Sequence, residues 1–526
     1  NYNIPMEVID RIEVIRGPGG TLWGANAVNG VINIVTKSAK DTQGGFFSGG
    51  TGTSDSHGTI SYGLALNDNT YARAYYSYSE AGPFYTHTED TGDDRWNYNA
   101  AGLRIDSDLS EVSKLTLVAH GSGSAIPNNS AGFTSGLTDR QSDQFYIMGR
   151  YDHDLGDGEG FSIQAYMDTN KIRSGPQNII DIKSYDLDIQ YRFNLGSSHA
   201  LTSGLGIRHH NVQSNPGITG TDIGNEFNQA IYSLYLQDKI TLLEDELFLI
   251  LGTKLEHNTY THLELQPNAR LLWTPNDIHT LWAAVSRAVR TPSIFERQAD
   301  ILIGSSTDMG VTTNTSLTGN DDVRSEDVIT YELGYRVRPI DKLSLDFALF
   351  YSDFENTVTI DGNNTIVDSS GYPVVDVYIP IGNDAAAESM GGEVAFSYVV
   401  SDSWRLSGSY AYIYMSAEST PGNDPLNSVD TGEARHTANL RSYWRITDKW
   451  TWDAMIYYAS SREDNSWDSD IVRVDTRLAY APTENLEFWV SGQNLAEGAT
   501  AELEATSSVN AMEVPRSVFF GMSYNF

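Results

Sequence analysis

Carboxylates dominate the side chains of this chain that could do chemistry. Glu89, Asp90, Asp93 and Asp94 form one cluster; Asp321, Asp322, Glu326 and Asp327 form a second; Glu463, Asp464, Asp468 and Asp470 form a third. Oxygen ligands in such groups suit a hard cation such as calcium, but none has the spacing of an EF-hand loop. Solvated loop carboxylates would look the same, and that is the reading taken. His209 and His210 are neighbours in sequence. Adjacent residues on a strand point to opposite faces, so the two do not form a ligand pair. The chain has no cysteine, hence no disulfide and no thiolate metal site. No HExxH, GxSxG or Walker sequence occurs. These residues nominate no catalytic group, no metal centre and no cofactor, and the chain does not read as an enzyme.

The remaining chemical candidate is a glycine-rich loop. In Arg11 to Lys37, RIEVIRGPGGTLWGANAVNGVINIVTK, two runs rich in Ile and Val flank a segment of small residues. The runs Ile12 to Ile15 and Val31 to Val35 read as strands. Gly17, Gly24 and Gly30 permit backbone conformations that a Cβ resists, and Pro18 fixes one φ and removes a donor. A phosphate-binding loop would lead into a helix, whereas Gly30 to Lys37 reads as strand. The unit is a compact strand–loop–strand, too small to bury a core of its own.

The elements around it are strands almost throughout. No run of about 18 apolar residues exists, which excludes membrane-spanning helices and says nothing against spanning strands. Leu345, Phe347, Leu349 and Tyr351 alternate with Ser344, Asp346, Ala348 and Ser352, and Val472 and Val474 with Arg473 and Asp475. Period-two alternation gives one apolar and one polar face, as in a lipid-exposed barrel or in a soluble sheet. The connections discriminate better. Twenty-two strand candidates can be placed, with Asp376 to Val400 taken as one strand interrupted at Gly391-Gly392. Every second connection is a tight turn, such as Asn67 to Asn69, Leu243 to Glu246 or Pro482 to Asn485. Most of the others are long, among them Ala81 to Trp96, Gly121 to Gln141 and Ala288 to Glu326. Short turns at one end and long loops at the other are the pattern of outer-membrane barrels. The 30 Tyr, 18 Phe and 10 Trp would supply aromatic girdles. The formal net charge of −35 argues against nucleic acid, whose phosphates need cations.

The run from Ile12 to Lys37 closely resembles the end of the plug domain of TonB-dependent outer-membrane receptors, with Trp23 where that family usually carries tyrosine. Ser286 to Glu296, Thr330 to Arg336 (TYELGYR), Gly391 to Tyr398 (GGEVAFSY), Gly432 to Leu440, Ser491 to Gly498 and the closing strand to Phe526 follow in the family's order. The resemblance implies an all-β fold, a 22-stranded antiparallel transmembrane β-barrel (46–526) with a partial N-terminal plug (1–45) in its lumen. It implies a location in the outer membrane of a Gram-negative bacterium. The implied function is import of a scarce nutrient as a small-molecule metal chelate, with ferric siderophore the default and haem or cobalamin open. Energy would come from TonB with ExbB and ExbD. Lipopolysaccharide, outer-membrane lipid and the barrel-assembly machinery are the further implied partners. Asn1 to Pro5 show no signal-peptide pattern. A plug of that family is much longer than residues 1–45 and carries a TonB box that is not visible here, so truncation or disorder of the N-terminal part is expected. A non-coupled channel or surface-binding barrel is the alternative.

The resemblance also implies a plug–barrel lock. Matched motif by motif, its members are Arg16 on the plug and Glu332 and Glu393 on the barrel, with Arg11 as a poorer substitute cation. Arg11, Glu13, Gly17, Pro18, Gly24 and Gly30 carry the plug motif. The ligand-contacting residues are not assigned by the sequence.

Overall fold

The computed structural model describes residues 4–82, 85–86, 95–126, 140–174, 178–215, 221–222, 226–419, 423–425, 434–461, 470–497, 499–501 and 512–526. Twenty-two long antiparallel strands close into a barrel. The first, Gly44–Gly52, pairs with the last, Ser517–Asn525, in the register Phe46 to Asn525 and Gly50 to Gly521. Phe526 completes the seam, its N–H donating to Gly45 O at 2.8 Å while Gly45 N–H donates back to Phe526 O at 2.7 Å. Closure leaves no unpaired edge, as a hydrocarbon surround demands.

Cross-strand register fixes the two faces, since residues directly opposite in an antiparallel pair share a face. Glu332 is opposite Phe350, and Ala348 is opposite Glu393. Glu332 lies against plug residue Gly17, so this face is the lumen, and Asp346 shares it. From Ser397, on the face of Glu393, the register runs through Ser407, Arg441 and Met455 to Asp475. Asp346 and Asp475 therefore face inward. Leu345, Phe347, Leu349 and Val474 occupy the outer face, where Phe347 and Leu349 are exposed large hydrophobics.

One expectation changes. The strand Val374–Ser401 is continuous through Gly391 and Gly392, which pair with Phe350 and Leu349 without a break. These glycines do not interrupt pairing; they make room for neighbours, since a Cβ on Gly391 would lie 2.6 Å from the Phe350 ring and one on Gly392 2.9 Å from the Leu349 side chain. The long connections also carry structure of their own. The one after Arg290 contains a short helix, Ile294–Gln298, and a hairpin, Asp300–Asp308 with Val311–Thr318. That hairpin pairs in parallel with the start of Val374–Ser401. A small apolar core of Leu317, Val323, Val358 and Ile381, with Phe295 and Ile360 against it, holds this superstructure together.

Within the lumen, β1 (Ile9–Arg16) and β2 (Gly30–Thr36) pair antiparallel, Ile12 opposite Ile34 and Val14 opposite Ile32. The intervening loop contains a single helical turn, α1 (Gly20–Trp23). This unit touches the wall on several sides. Arg104 Nη1 donates to Thr36 O at 3.0 Å, Asp106 accepts from Ala39 N at 2.7 Å, and Thr59 Oγ1 donates to Glu7 at 3.2 Å.

Candidate functional site

At one end of the plug, Arg16 closes β1 and its guanidinium donates to the Glu393 carboxylate. Glu332 does not receive Arg16. Its carboxylate accepts from Arg270 Nη2, on the barrel wall, at 3.4 Å and lies over the plug backbone at Gly17. Gly17 has φ +72°, and a Cβ there would fall 2.5 Å from Glu332 Oε1. Glycine is thus required twice at this position, by conformation and by space. Arg11 approaches neither barrel glutamate. It stays within the plug, donating to Asp10 at 2.8 Å and Glu13 at 2.7 Å, while Glu13 also accepts from Asn33 on β2 at 2.8 Å. Pro18 directly precedes Gly19, the N-cap of α1. Gly30 opens β2 opposite Arg16.

The loop between β1 and β2 is held by contacts that no motif marked. Lys254, almost fully buried, donates to Leu22 O at 3.3 Å, at the carbonyl end of α1 where a cation is favoured. Its neighbour on the same lumen face, Glu256, accepts from Ala25 N at 3.4 Å. Thr21 Oγ1 donates to Gln266 O at 3.1 Å. Asn26, at φ +74°, is bonded on three sides. Its N–H donates to Val289 O at 2.8 Å, its Oδ1 accepts from Thr291 N at 3.0 Å, and its Nδ2 donates to Thr291 Oγ1 at 3.3 Å. Asn26 thereby ties the plug to the root of the longest connection. An Asn tolerates a left-handed backbone, the one local hint available at this position.

A cavity of about 570 Å³ opens beside that tie, at the long-loop end of the barrel. Asn26, Asn29 and Gly30 supply its floor from the plug, and Tyr260, Arg290, Thr291 and Glu326 part of its wall. Arg290 donates to Glu326, and through Nη2 to Glu296 Oε1 at 2.9 Å and Nη1 to Glu296 Oε2 at 3.2 Å. Glu296 also closes a capping box for the helix after Ser293, accepting from Ser293 N at 2.6 Å while Ser293 Oγ accepts from Glu296 N. Burial alone would push the Glu296 carboxyl up; the bonds from Arg290 and Ser293 outweigh it and hold the group below its usual range. A second cavity of about 270 Å³, lined by Ile182, Val212, Phe227, Ile294 and Phe295 among others, shares Ser293 and Ile294 with the first. Its apolar lumen wall departs from the polar lining below it.

Of the acidic clusters, Glu326 and Asp327 line the first cavity and Asp321 pairs with Arg297. Asp470 accepts from Ser461 N at 2.9 Å and Tyr458 OH at 2.8 Å. Glu89, Asp90, Asp93, Asp94, Glu463, Asp464 and Asp468 lie outside the described residues. His210 bonds Ser184 on the lumen face, and His209 is opposite Tyr185 on the other face.

A family model described as TonB dependent receptor-like, beta-barrel, matches residues 30–495, and one described as TonB-dependent Receptor Plug Domain matches residues 1–31. The chain is 24% identical to an iron-regulated outer membrane virulence protein of Vibrio cholerae, over 93% of this chain and 76% of that protein. It is 23% identical to a ferric enterobactin receptor of Pseudomonas aeruginosa, over 88% and 70% respectively. A crystal structure of a ferric enterobactin receptor from Pseudomonas aeruginosa superposes with a TM-score of 0.82 at 16% identity, covering 99% of this chain and 86% of that one.

Proposed function

The chain belongs to the TonB-dependent receptors of the Gram-negative outer membrane, and on that footing we propose that it imports a ferric siderophore, bound in the cavity between plug and barrel at the long-loop end. The observation that carries this reading is the shared lining. Asn26 and Asn29 of the plug face the same space as Arg290 and Glu326 of the barrel. A ligand there touches the element that must move for anything to pass. Small-molecule sites are concave and carry a few convergent polar groups, as this one does. The names of the relatives above support an iron chelate as cargo.

In this reading residues 1–45 are plug and 46–526 barrel. Arg16 with Glu393, and Glu332 over Gly17, form the lock that holds the plug's strand pair in register. A guanidinium and a carboxylate bond strongly and directionally, yet a water-filled lumen lets water replace the partner once the plug is pulled. TonB, acting with ExbB and ExbD, supplies the pull. Lipopolysaccharide and lipid surround the outer face, and the barrel-assembly machinery inserts the strand that ends on Phe526. No step of this cycle needs a catalytic group.

Uptake tests the reading. Cells lacking their own ferric-chelate receptors, supplied with radiolabelled iron as siderophore complexes, should accumulate iron when they express this chain with its native N-terminal region and functional TonB. Accumulation that persists without TonB would point instead to a non-coupled channel.

A further inference from the structure

We infer that the cavity selects neutral or cationic ferric chelates and rejects polyanionic ones; this deepens the ferric-chelate reading above and rests on it. The argument begins with the cations near the space. Among its lining residues the charged ones are Arg290, Glu326 and Asp327. Arg290 is already committed, with Nε on Glu326 and both terminal nitrogens on Glu296. Asp327 is held by Arg287, whose other terminal nitrogen donates to Leu265 O, and Arg287 does not line the cavity. Arg297 pairs with Asp321 and lies over the Tyr260 ring at 5.0 Å. The arginines in and beside the cavity, Arg287, Arg290 and Arg297, thus each have a carboxylate already, and exposed Arg324 is not among the lining residues.

The rest of the polar lining is uncharged. Asn26, Asn29, Gln229, Thr291 and Ser293 offer amide and hydroxyl groups, which suit the carbonyl and N–O oxygens of a hydroxamate-type chelate. The Tyr260 hydroxyl beside them is buried and has no hydrogen-bond partner among the described residues, leaving a donor for a neutral oxygen. An anionic chelate would have to strip a carboxylate from Arg290 or sit against Glu326 and Asp327. Truncating one side of such a charge pair leaves the other uncompensated, so the exchange is unfavourable.

The described lining also has an excess of one sign, Arg290 against Glu326 and Asp327. A site of one sign concentrates ligands of the other and slows those of its own.

The test is fluorescence quenching of the detergent-solubilised protein, which has 10 Trp. It is titrated with the iron(III) complexes of desferrioxamine B (a monocation), ferrichrome (neutral) and enterobactin (a trianion). The expected result is that the cation or the neutral complex binds at least about tenfold more tightly than the trianion, with the gap narrowing as salt is raised. In the Glu326→Gln, Asp327→Asn double variant the gap should shrink by about threefold or more, and unchanged heat-modifiable gel mobility would show the barrel intact. Trianion binding as tight as that of the others overturns the inference and leaves the ferric-chelate reading standing. So does a gap that the double variant leaves untouched. Quenching by none of the three overturns that reading and the inference together.

Discussion

Arg16 of the plug donates its guanidinium to the carboxylate of Glu393, 377 positions further along the chain. The pair joins the end of β1 to the middle of a barrel strand whose register with Leu343–Asp361 is unbroken at that point. Arg16 is 59% exposed and Glu393 28%, so water competes for both. The contact is placed to hold position rather than to supply much stability.

That distinction is measurable. A double-mutant cycle on Arg16→Ala and Glu393→Ala should return a coupling of about 0.5–1 kcal/mol, the range for partly exposed pairs. Amide exchange along β1 is the readout, since it reports release of the plug without unfolding the barrel. Effects that add within about 0.3 kcal/mol would mean that the two side chains do not hold each other.

The backbone at Gly17 should matter more. Gly17→Ala must bear both φ +72° and a Cβ 2.5 Å from Glu332 Oε1. Conformational strain of this kind costs about 1–3 kcal/mol, and Glu332 would have to shift from Arg270. We expect faster exchange throughout β1 and β2 than in Arg16→Ala. A Gly17→Ala protein with unchanged exchange would remove Gly17 from the lock.

What the sequence made legible follows from periodicity. Leu345 beside Asp346, and Val474 beside Asp475, carry their own face assignment, because one-residue alternation and strand geometry share a period. The turn rhythm gave the strand number for the same reason: Gly, Asn and Asp cluster where a chain must reverse. Features set by single contacts left no pattern. Four residues of α1 are too few to show helical periodicity, and Gly391-Gly392 read as an interruption although they accommodate the Phe350 ring and the Leu349 side chain. Lys254, Glu256, Gln266 and Thr291 become plug contacts only once three adjacent barrel strands and the root of the longest connection are brought around α1 and Asn26. Arg290, expected only as part of a motif opening a loop, became legible when Glu296 and Glu326 closed on it.

The face assignment can be checked by labelling. Single cysteines at Leu345 and Asp346, in a chain that otherwise has none, should differ sharply in membranes. The Leu345→Cys thiol should react with a lipid-partitioning maleimide and resist a charged one, and Asp346→Cys should do the reverse. Charged-reagent labelling at Leu345→Cys, with protection at Asp346→Cys, would invert the barrel register.

The last expectation concerns pH and the helix Ile294–Gln298 at the cavity wall. Glu296 is 5% exposed; burial opposes its charge, and the bonds from Arg290 and from Ser293 more than compensate, so its folded value lies below the ordinary 4.5. A carboxyl depressed on folding contributes stability that is fully present above its unfolded value and is lost as pH falls through the folded one. Lowering the pH from 7 to below 4.5 should therefore loosen this helix and the Arg290 pairing while the barrel stays closed. Glu296→Gln should reproduce part of that loosening at pH 7. The amide can still serve the capping box but leaves Arg290 with Glu326 alone, a loss of about 1–3 kcal/mol given the partial exposure of Arg290. Hydrogen exchange of residues 294–298, corrected for the intrinsic pH dependence of exchange, is the measurement. Equal protection at both pH values, or a Glu296→Gln protein as pH-sensitive as the parent, would show that another group controls this wall.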